Sequence, residues 1–460
     1  MAPAQIFRQL LPLACLLIAA CSSSNNNDTV TGKGSIRGIH AVPDINTVSF
    51  LIEETLLATL GFKDASGVSE YDDLEYTFSF EIWLPGDIDA TVLASQTLKV
   101  DPEIEYTFVL AGSLDSPELI LWEQFGRNWA EELETADENE TEVTVMEVSF
   151  GNLSAIAGAV DVYLESPGTS PLTASPKATV SYADLQTAIE LLAGDYQLVL
   201  TPVGDAPTIL FASDPIFVAA ASSNLFAIMD DGGLTSGDYS VRWIGGGVAF
   251  ELFDINLTSE VSVVHTAQGS GPIDVVVGGD FANPLVADLG FAESSSSTTV
   301  DAGTLNVNVT PAGNPGVFLA ERAFSVEKGS INRMYVVGLP GDLQVVLFSE
   351  DRRTLSTHAR LQVFQGATRF SAVDFYIVDT DVDISLIGPN YSSFVYGTST
   401  GLFTLEPGEY NFVVTEAGTK NVIGGPYSLD MRAGQNTGAV ILDSPSITAT
   451  DAMFINLLSE

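Results

Sequence analysis

One short strand pattern, written four times, limits what this 460-residue chain can fold into. It reads Thr47-Val48-Ser49-Phe50, Ala159-Val160-Asp161-Val162-Tyr163, Pro272-Ile273-Asp274-Val275-Val276 and Ala372-Val373-Asp374-Phe375-Tyr376. In each copy the first and third apolar side chains share a face, the period-two signature of a half-buried strand. The copies lie about 100 to 113 positions apart, a domain-sized spacing rather than a solenoid repeat. A second landmark follows about 30 residues downstream: Tyr76-Thr77-Phe78, Gly194-Asp195-Tyr196, Gly303-Thr304-Leu305 and Gly408-Glu409-Tyr410. A third runs from Phe324 to Gly329 and on into Met334-Tyr335-Val336-Val337, with counterparts in Leu98 to Phe108 and Tyr427 to Ile441; it reads as a hairpin. Dense strands broken by Gly, Pro, Asn and Asp predict an all-β chain of antiparallel sandwiches over residues 35–142, 143–257, 258–357 and 358–460. The acidic stretch Glu131 to Glu142 reads as an exposed loop before the first boundary. Tyr182 to Ala193 is the strongest helical candidate, but the repeat register reads it as two strands around a turn.

The N-terminus reads as an address. Arg8 precedes an apolar run, Leu10 to Ala20, too short to cross about 30 Å of hydrocarbon as a helix. The run ends in Ile18-Ala19-Ala20-Cys21, which resembles the bacterial lipobox, where the Cys is acylated and becomes the new N-terminus. Ser22 to Asp28 is polar and low in complexity, a leash with no apolar surface to bury. The expectation is a signal peptide over 1–20, lipidation at Cys21, a tether over 21–34, and an exported lipoprotein facing the periplasm or the surface. Ser22, rather than Asp, after the Cys resembles the signal for outer-membrane sorting.

Composition removes several function classes. With 17 basic against 60 acidic residues the formal charge is −43, and nucleic-acid binding needs clustered Lys and Arg. Anionic headgroups would repel such a body, which leaves the acyl chain as the membrane contact. The two Cys are Cys15, inside the signal, and Cys21, so the mature chain is expected to carry no disulfide and no thiolate metal site. Apolar residues make up 46%, with 25 Phe and 13 Tyr, which is ample for several cores.

His40-Ala41-Val42-Pro43-Asp44 followed by Val48-Ser49-Phe50 resembles the opening of a bacterial family, domain of unknown function 4397. Val263-Val264-His265 with Ile273-Asp274-Val275 matches it in part, and the Gly-Asp-Tyr and Gly-Glu-Tyr segments look like its Gly-x-Tyr strand. The second and fourth copies lack the His, and only the first has the Pro-Asp pair. The resemblance implies exported, tandem, immunoglobulin-like β-sandwiches, often lipid-anchored, and no assigned chemistry.

Candidate site residues are few. His40 and His265 occupy one repeat column, filled by Asn152 and Gln365 in the other copies. All four side chains donate and accept hydrogen bonds while only His titrates near neutrality, so the column reads as loop bracing rather than catalysis. His358 has no repeated partner. Gly397-Thr398-Ser399-Thr400-Gly401 fits the nucleophile-elbow pattern, but strand and turn residues follow where a helix is required. Asp379, Asp381 and Asp383, and separately Asp230 and Asp231, are the carboxylates a loose Ca²⁺ site would use; the EF-hand pattern itself fails at Ile384 and Asn390. A solvated acidic face is the plainer reading, and no other cofactor is expected. Gly245-Gly246-Gly247 reads as a flexible bend. Trp122, Trp129 and Trp243 would stack on sugar rings if exposed, though Trp is more often core. The functional expectation is a non-enzymatic binding or adhesion module for an unknown protein or glycan ligand, with a periplasmic spacer or scaffold as the alternative.

Overall fold

The computed structural model describes residues 32–85, 88–245, 248–444 and 453–458. Cys21, the signal and most of the tether lie outside the described residues. The chain is all-β, built as two-sheet sandwiches. The first unit runs β1 (Lys33–His40), β2 (Thr47–Ile52), β3 (Thr55–Gly61), β4 (Ser69–Asp72), β5 (Glu75–Ile82), β6 (Thr91–Lys99), β7 (Ile104–Ser113) and β8 (Ser116–Phe125). Its sheets have the orders β4-β1-β7-β8 and β3-β2-β5-β6. Alternation in β2 explains the split: Val48, Phe50 and Ile52 are buried while Thr47, Ser49 and Leu51 face outward. Across the gap Phe78 stacks on Phe108 at 4.4 Å, and Phe50 stacks on Phe80 at 4.8 Å.

The same two sheet orders recur three more times. The strands standing for β1 are Val145–Leu153, Ser259–His265 and Ala359–Gln365, and those standing for β7 are Ser223–Asp230, Ile331–Leu339 and Asn436–Asp443. In every unit the first strand pairs parallel with the seventh, and the other pairings are antiparallel. The second unit splits its sixth strand in two and adds a ninth, Val248–Leu252, on the edge beyond Tyr239–Gly245.

Three local expectations are corrected. The Phe324–Val337 landmark is not a hairpin: Ala320–Val326 pairs with Gly303–Pro311, whereas Ile331–Leu339 lies in the opposite sheet, so the turn is a crossover between layers. The acidic stretch is not a loop but α1 (Trp129–Glu138). Asn128 caps it by accepting the Glu131 N–H at 3.2 Å, and Arg127 ties its first turn to Glu132 at 2.6 Å and to Glu190 at 3.0 Å. Tyr182 to Ala193 holds a turn followed by a single strand, Leu185–Leu192.

The units pack in pairs. Ile39, Val109 and Trp122 point away from the first core, yet they are buried against Leu153, Ala227, Met229 and Ile244 of the second unit. In repeat register, where His40 pairs with Leu110 and Asn152 with Ile228, the two faces use equivalent positions. Trp122 answers to Ile244 and Ile39 to Gly151, so a large side chain in one unit meets a small one in the other. A Cβ on Gly151 would lie 2.4 Å from the Trp122 ring, which is why glycine stands there. The third and fourth units repeat the arrangement through Val264, Tyr335 and Val337 against Phe364, Val440 and Leu442. Tyr335 and Phe364 stack at 3.7 Å. Sheet-on-sheet burial of this kind fixes each pair rigidly.

Candidate functional site

The four residues of the His column do one job. His40 Nδ1 accepts the Val42 N–H at 3.3 Å, and His265 Nδ1 accepts the Ala267 N–H at 3.3 Å. The Asn152 and Gln365 side-chain oxygens accept the N–H two residues on, at 2.9 and 2.7 Å. Each column residue also exchanges backbone bonds with a turn from the third strand, whose central residue has positive φ: Lys63, Ala183, Ala292 and Gly397. Burial holds the His40 pKa down at about 4; a backbone bond with Ile45 opposes this in part, and the charge of Arg353 adds to it. Burial also lowers His265, against a backbone bond to Gly271 and the charge of Glu293. A ring that accepts an N–H through Nδ1 must carry its proton on Nε2, so both imidazoles are neutral braces.

A second column sits on the outer face of the second strand. Asp161, Asp274 and Asp374 each accept the backbone N–H of a turn glycine, Gly204, Gly313 and Gly418, at 2.8, 2.8 and 2.9 Å. The other carboxylate oxygen takes Thr179, Asp288 and Ser393 at 2.5, 2.8 and 2.7 Å. Opposite each Asp, across the ladder, stands a Thr: Thr201, Thr310 and Thr415. The first unit breaks this pattern. Ser49 replaces the Asp, Glu81 replaces the Thr, and Leu84 stands where the turn glycine would be. Two residues past Glu81, where the others carry Val203, Ala312 and Ala417, is Trp83, which is 60% exposed. Beside these residues lies a cleft of about 280 Å³ lined by Ser49, Thr59, Glu81 and Trp83 on one side and by Thr357, His358 and Thr404 on the other.

Residues 259–376, from the strand carrying His265 through the strand carrying Asp374, match the family model described as Domain of unknown function (DUF4397). The matched stretch takes in the third unit and the first two strands of the fourth. No curated protein matches the chain. Among solved structures, the Bacillus anthracis TIE protein aligns at 12% identity over 86% of this chain and 68% of its own, with a TM-score of 0.16. Within the matched residues, the His and Asp of the strings are His265 and Asp274, and both fasten backbone turns. The Gly-x-Tyr strand outside it behaves likewise: Tyr196 and Tyr410 donate to the carbonyls of Leu192 and Glu406, four residues back, at 2.7 and 2.8 Å.

The remaining candidates are dispersed. Among the described residues no group of three or more His, Cys, Asp or Glu is placed to hold a metal ion. Asp383 caps a short 3₁₀ turn through the Ser385 N–H at 2.9 Å, while Asp379 and Asp381 stand exposed. Asp230 accepts the Ser154 hydroxyl, and Asp231 is already neutralised by Lys63 at 3.0 Å. Ser399 donates to the Val363 carbonyl at 3.3 Å in a turn followed by strand, so no nucleophile elbow forms. Trp122 is buried between units, Trp129 is covered by Arg127 at 4.0 Å, and Trp243 stacks between Phe226 and Phe250. The glycine bend falls partly on residues 246–247, outside the described residues. The exposed tryptophan is Trp83, which composition and spacing did not single out. Aligning the repeats against one another would have found it, because Ser49, Glu81 and Trp83 leave their columns together.

Long-range contacts draw this region together. Lys63, at the positive-φ turn where other units have Ala or Gly, reaches across to Asp231 at 3.0 Å, Ser240 at 2.8 Å and Glu251 at 2.7 Å. The Arg353 guanidinium lies 5.1 Å from the Phe62 ring centre and donates to the Ile45 carbonyl at 3.3 Å. Ser356 donates its N–H to the Asp44 carbonyl at 2.9 Å. The first unit is therefore held both to the second and to the segment that precedes the fourth. Among the described residues no helix is long and apolar enough to cross a membrane.

Proposed function

We propose that the protein is a non-enzymatic, lipid-anchored component of the cell envelope, exported and tethered through Cys21, and that it is a binding module for an envelope or extracellular ligand. One observation carries this reading: the first unit alone abandons a bracing set, Asp, Thr and Gly, for Ser49, Glu81 and Leu84, with an exposed Trp83 beside an open cleft. A structural position released from structural duty is where a binding function is expected. The non-enzymatic part is supported by the use made of His40, His265, Asp161, Asp274 and Asp374, all engaged with backbone groups.

The spacer alternative asks for length. Residues 44 and 356 are in contact, so the units fold back on one another rather than extending as a stalk, and this favours the binding reading. The test is protease shaving of intact cells carrying a C-terminal epitope tag. Loss of the tag while a periplasmic control survives is the expected result. Protection that ends only when the outer membrane is opened would place the units inside and move the scaffold role to first.

A further inference from the structure

We infer that the cleft of the first unit binds a neutral saccharide, with Trp83 as the stacking platform and Glu81 as the acceptor for ring hydroxyls; the inference rests on the binding reading and names its ligand class. The argument starts from the chemistry of the wall. A pyranose has two kinds of surface, apolar C–H faces and a rim of hydroxyls, and a site for it needs one flat aromatic and several short polar groups. Trp83 supplies the first and is exposed enough to be covered by a ligand. Ser49, Thr59 and Thr404 offer hydroxyls that both donate and accept, Glu81 offers a carboxylate, and the Thr357 hydroxyl is bonded to His358 Nδ1 at 2.7 Å. Glu81 takes a bond from the Ser79 hydroxyl at 3.2 Å through Oε1, which holds the side chain in place along the strand.

Size and charge narrow the ligand further. A volume of about 280 Å³ sits at the lower edge of the roughly 300–1,000 Å³ typical of small-molecule sites, which suits one sugar ring rather than a long chain. A carboxylate in the wall of a chain with formal charge −43 disfavours an anionic sugar. A quaternary ammonium would also tolerate Glu81, but such cations are usually held by a cage of several Trp, Tyr or Phe rings, and this wall has one such ring, Trp83, beside the His358 imidazole. The repeat provides its own control. The other three units carry Val203, Ala312 and Ala417 at the platform position and a Thr for Glu81, and their outer Asp is tied to a turn. Binding is therefore confined to one unit of four.

The test is ligand-observed saturation-transfer NMR on the full chain. The probes are the methyl glycosides of glucose, galactose, mannose and N-acetylglucosamine, with choline chloride as a cationic counter-probe. Saturable transfer to at least one glycoside is expected, with dissociation in the millimolar range. Trp83→Ala should weaken it at least 10-fold and Glu81→Gln several-fold, while Trp83→Phe keeps it within a few-fold. Trp83 is exposed, so these variants should fold, and an unchanged circular dichroism spectrum checks that they do. Glycoside transfer that ignores Trp83→Ala would overturn the assignment of this cleft. Transfer to choline alone would overturn the saccharide and leave the binding reading standing. Silence from every probe also overturns the saccharide, and the binding reading then stands or falls on the shaving result.

Discussion

Replacing His40 with Asn should make the first unit less sensitive to acid. The substitution is one the repeat already uses: Asn152 fills the same column and accepts the N–H two residues on at 2.9 Å. His40 is fully buried, and its pKa is depressed from 6.5 to about 4. A depressed folded-state pKa means the unfolded chain takes up the proton first. Stability is therefore intact above pH 6.5, declines as the pH falls towards about 4, and levels off below that. Linkage puts the loss from this one ring at about 2 kcal/mol by pH 5 and about 3 kcal/mol by pH 4. The cause is local, because a proton on Nδ1 would set a donor against the Val42 N–H and a positive charge near Arg353. A chain of several units does not unfold in one step, so a probe inside the first unit is needed. The ¹⁹F resonance of 5-fluorotryptophan at Trp122, on β8, followed through urea titrations at pH 7 and pH 5, supplies it. His40→Asn should lie within about 1 kcal/mol of wild type at pH 7 and gain about 2 kcal/mol on it at pH 5. Parallel losses in the two proteins would show that the buried imidazole does not carry the acid sensitivity.

Three further outcomes follow from the same geometry, and a fourth from the sequence around Cys21. Lys63→Ala leaves Asp231 buried without its cation, while Glu251 keeps Arg242 at 3.2 Å, and should cost about 3–5 kcal/mol in the unfolding of the first two units, read by the same resonance. Restoring Lys63 by a Met of similar length should not recover it, which separates charge from packing. Gly151→Ala drives a methyl into the Trp122 ring and should destabilise the junction by about 1–3 kcal/mol, with faster hydrogen exchange at the indole N–H that now donates to the Ala183 carbonyl at 2.9 Å. Asp374→Ala strips the acceptors from Ser393 and Gly418 and should cost about 1–3 kcal/mol by calorimetry, whereas Ser49→Ala at the matching position should stay within about 0.5 kcal/mol. Cys21→Ser should move the protein from the membrane to the soluble fraction; equal membrane recovery of variant and wild type would refute the anchor.

Much of the architecture is legible because the inward face of each second strand is apolar at every other position, even where, as at Asp161, Tyr163, Asp374 and Tyr376, the outward face is buried too. Val48 and Phe50 flank Ser49, and Val373 and Phe375 flank Asp374, and that apolar-polar-apolar triplet survives sequence drift. The paired faces carry a different signature, one that alternation alone does not pick out. Phe108-Val109-Leu110-Ala111 and Leu225-Phe226-Ala227-Ile228-Met229 are apolar without alternation, as strands covered on both sides must be. The crossover at Phe324–Val337 was not legible, because a short turn between apolar strands looks the same whether it joins neighbours or opposite layers. Nor was α1: its Asn128 cap and Glu131 are present, but no residue of the helix is buried, so no apolar stripe marks it. The cleft escaped for a subtler reason. Ser49, Glu81 and Trp83 are each ordinary in a strand, and they mean something only as joint exceptions to three other copies.

Strand parity governs how the copies meet. In the first unit Ser35 pairs with Glu105 and Ile104 with Phe125, so the chain comes in and goes out at the same end. Glu260, Ile331 and Glu350 show the third unit doing the same. An even number of passes returns the chain to the side it came from, and the next copy has to grow up alongside its predecessor. The second unit makes one extra pass: Val248–Leu252 runs back beside Tyr239–Gly245, so that Leu252 ends level with Val241, at the far end. There the chain is handed across rather than returned, and a fresh side-by-side couple begins. A strand of five residues thus decides at which end the second copy releases the chain to the third.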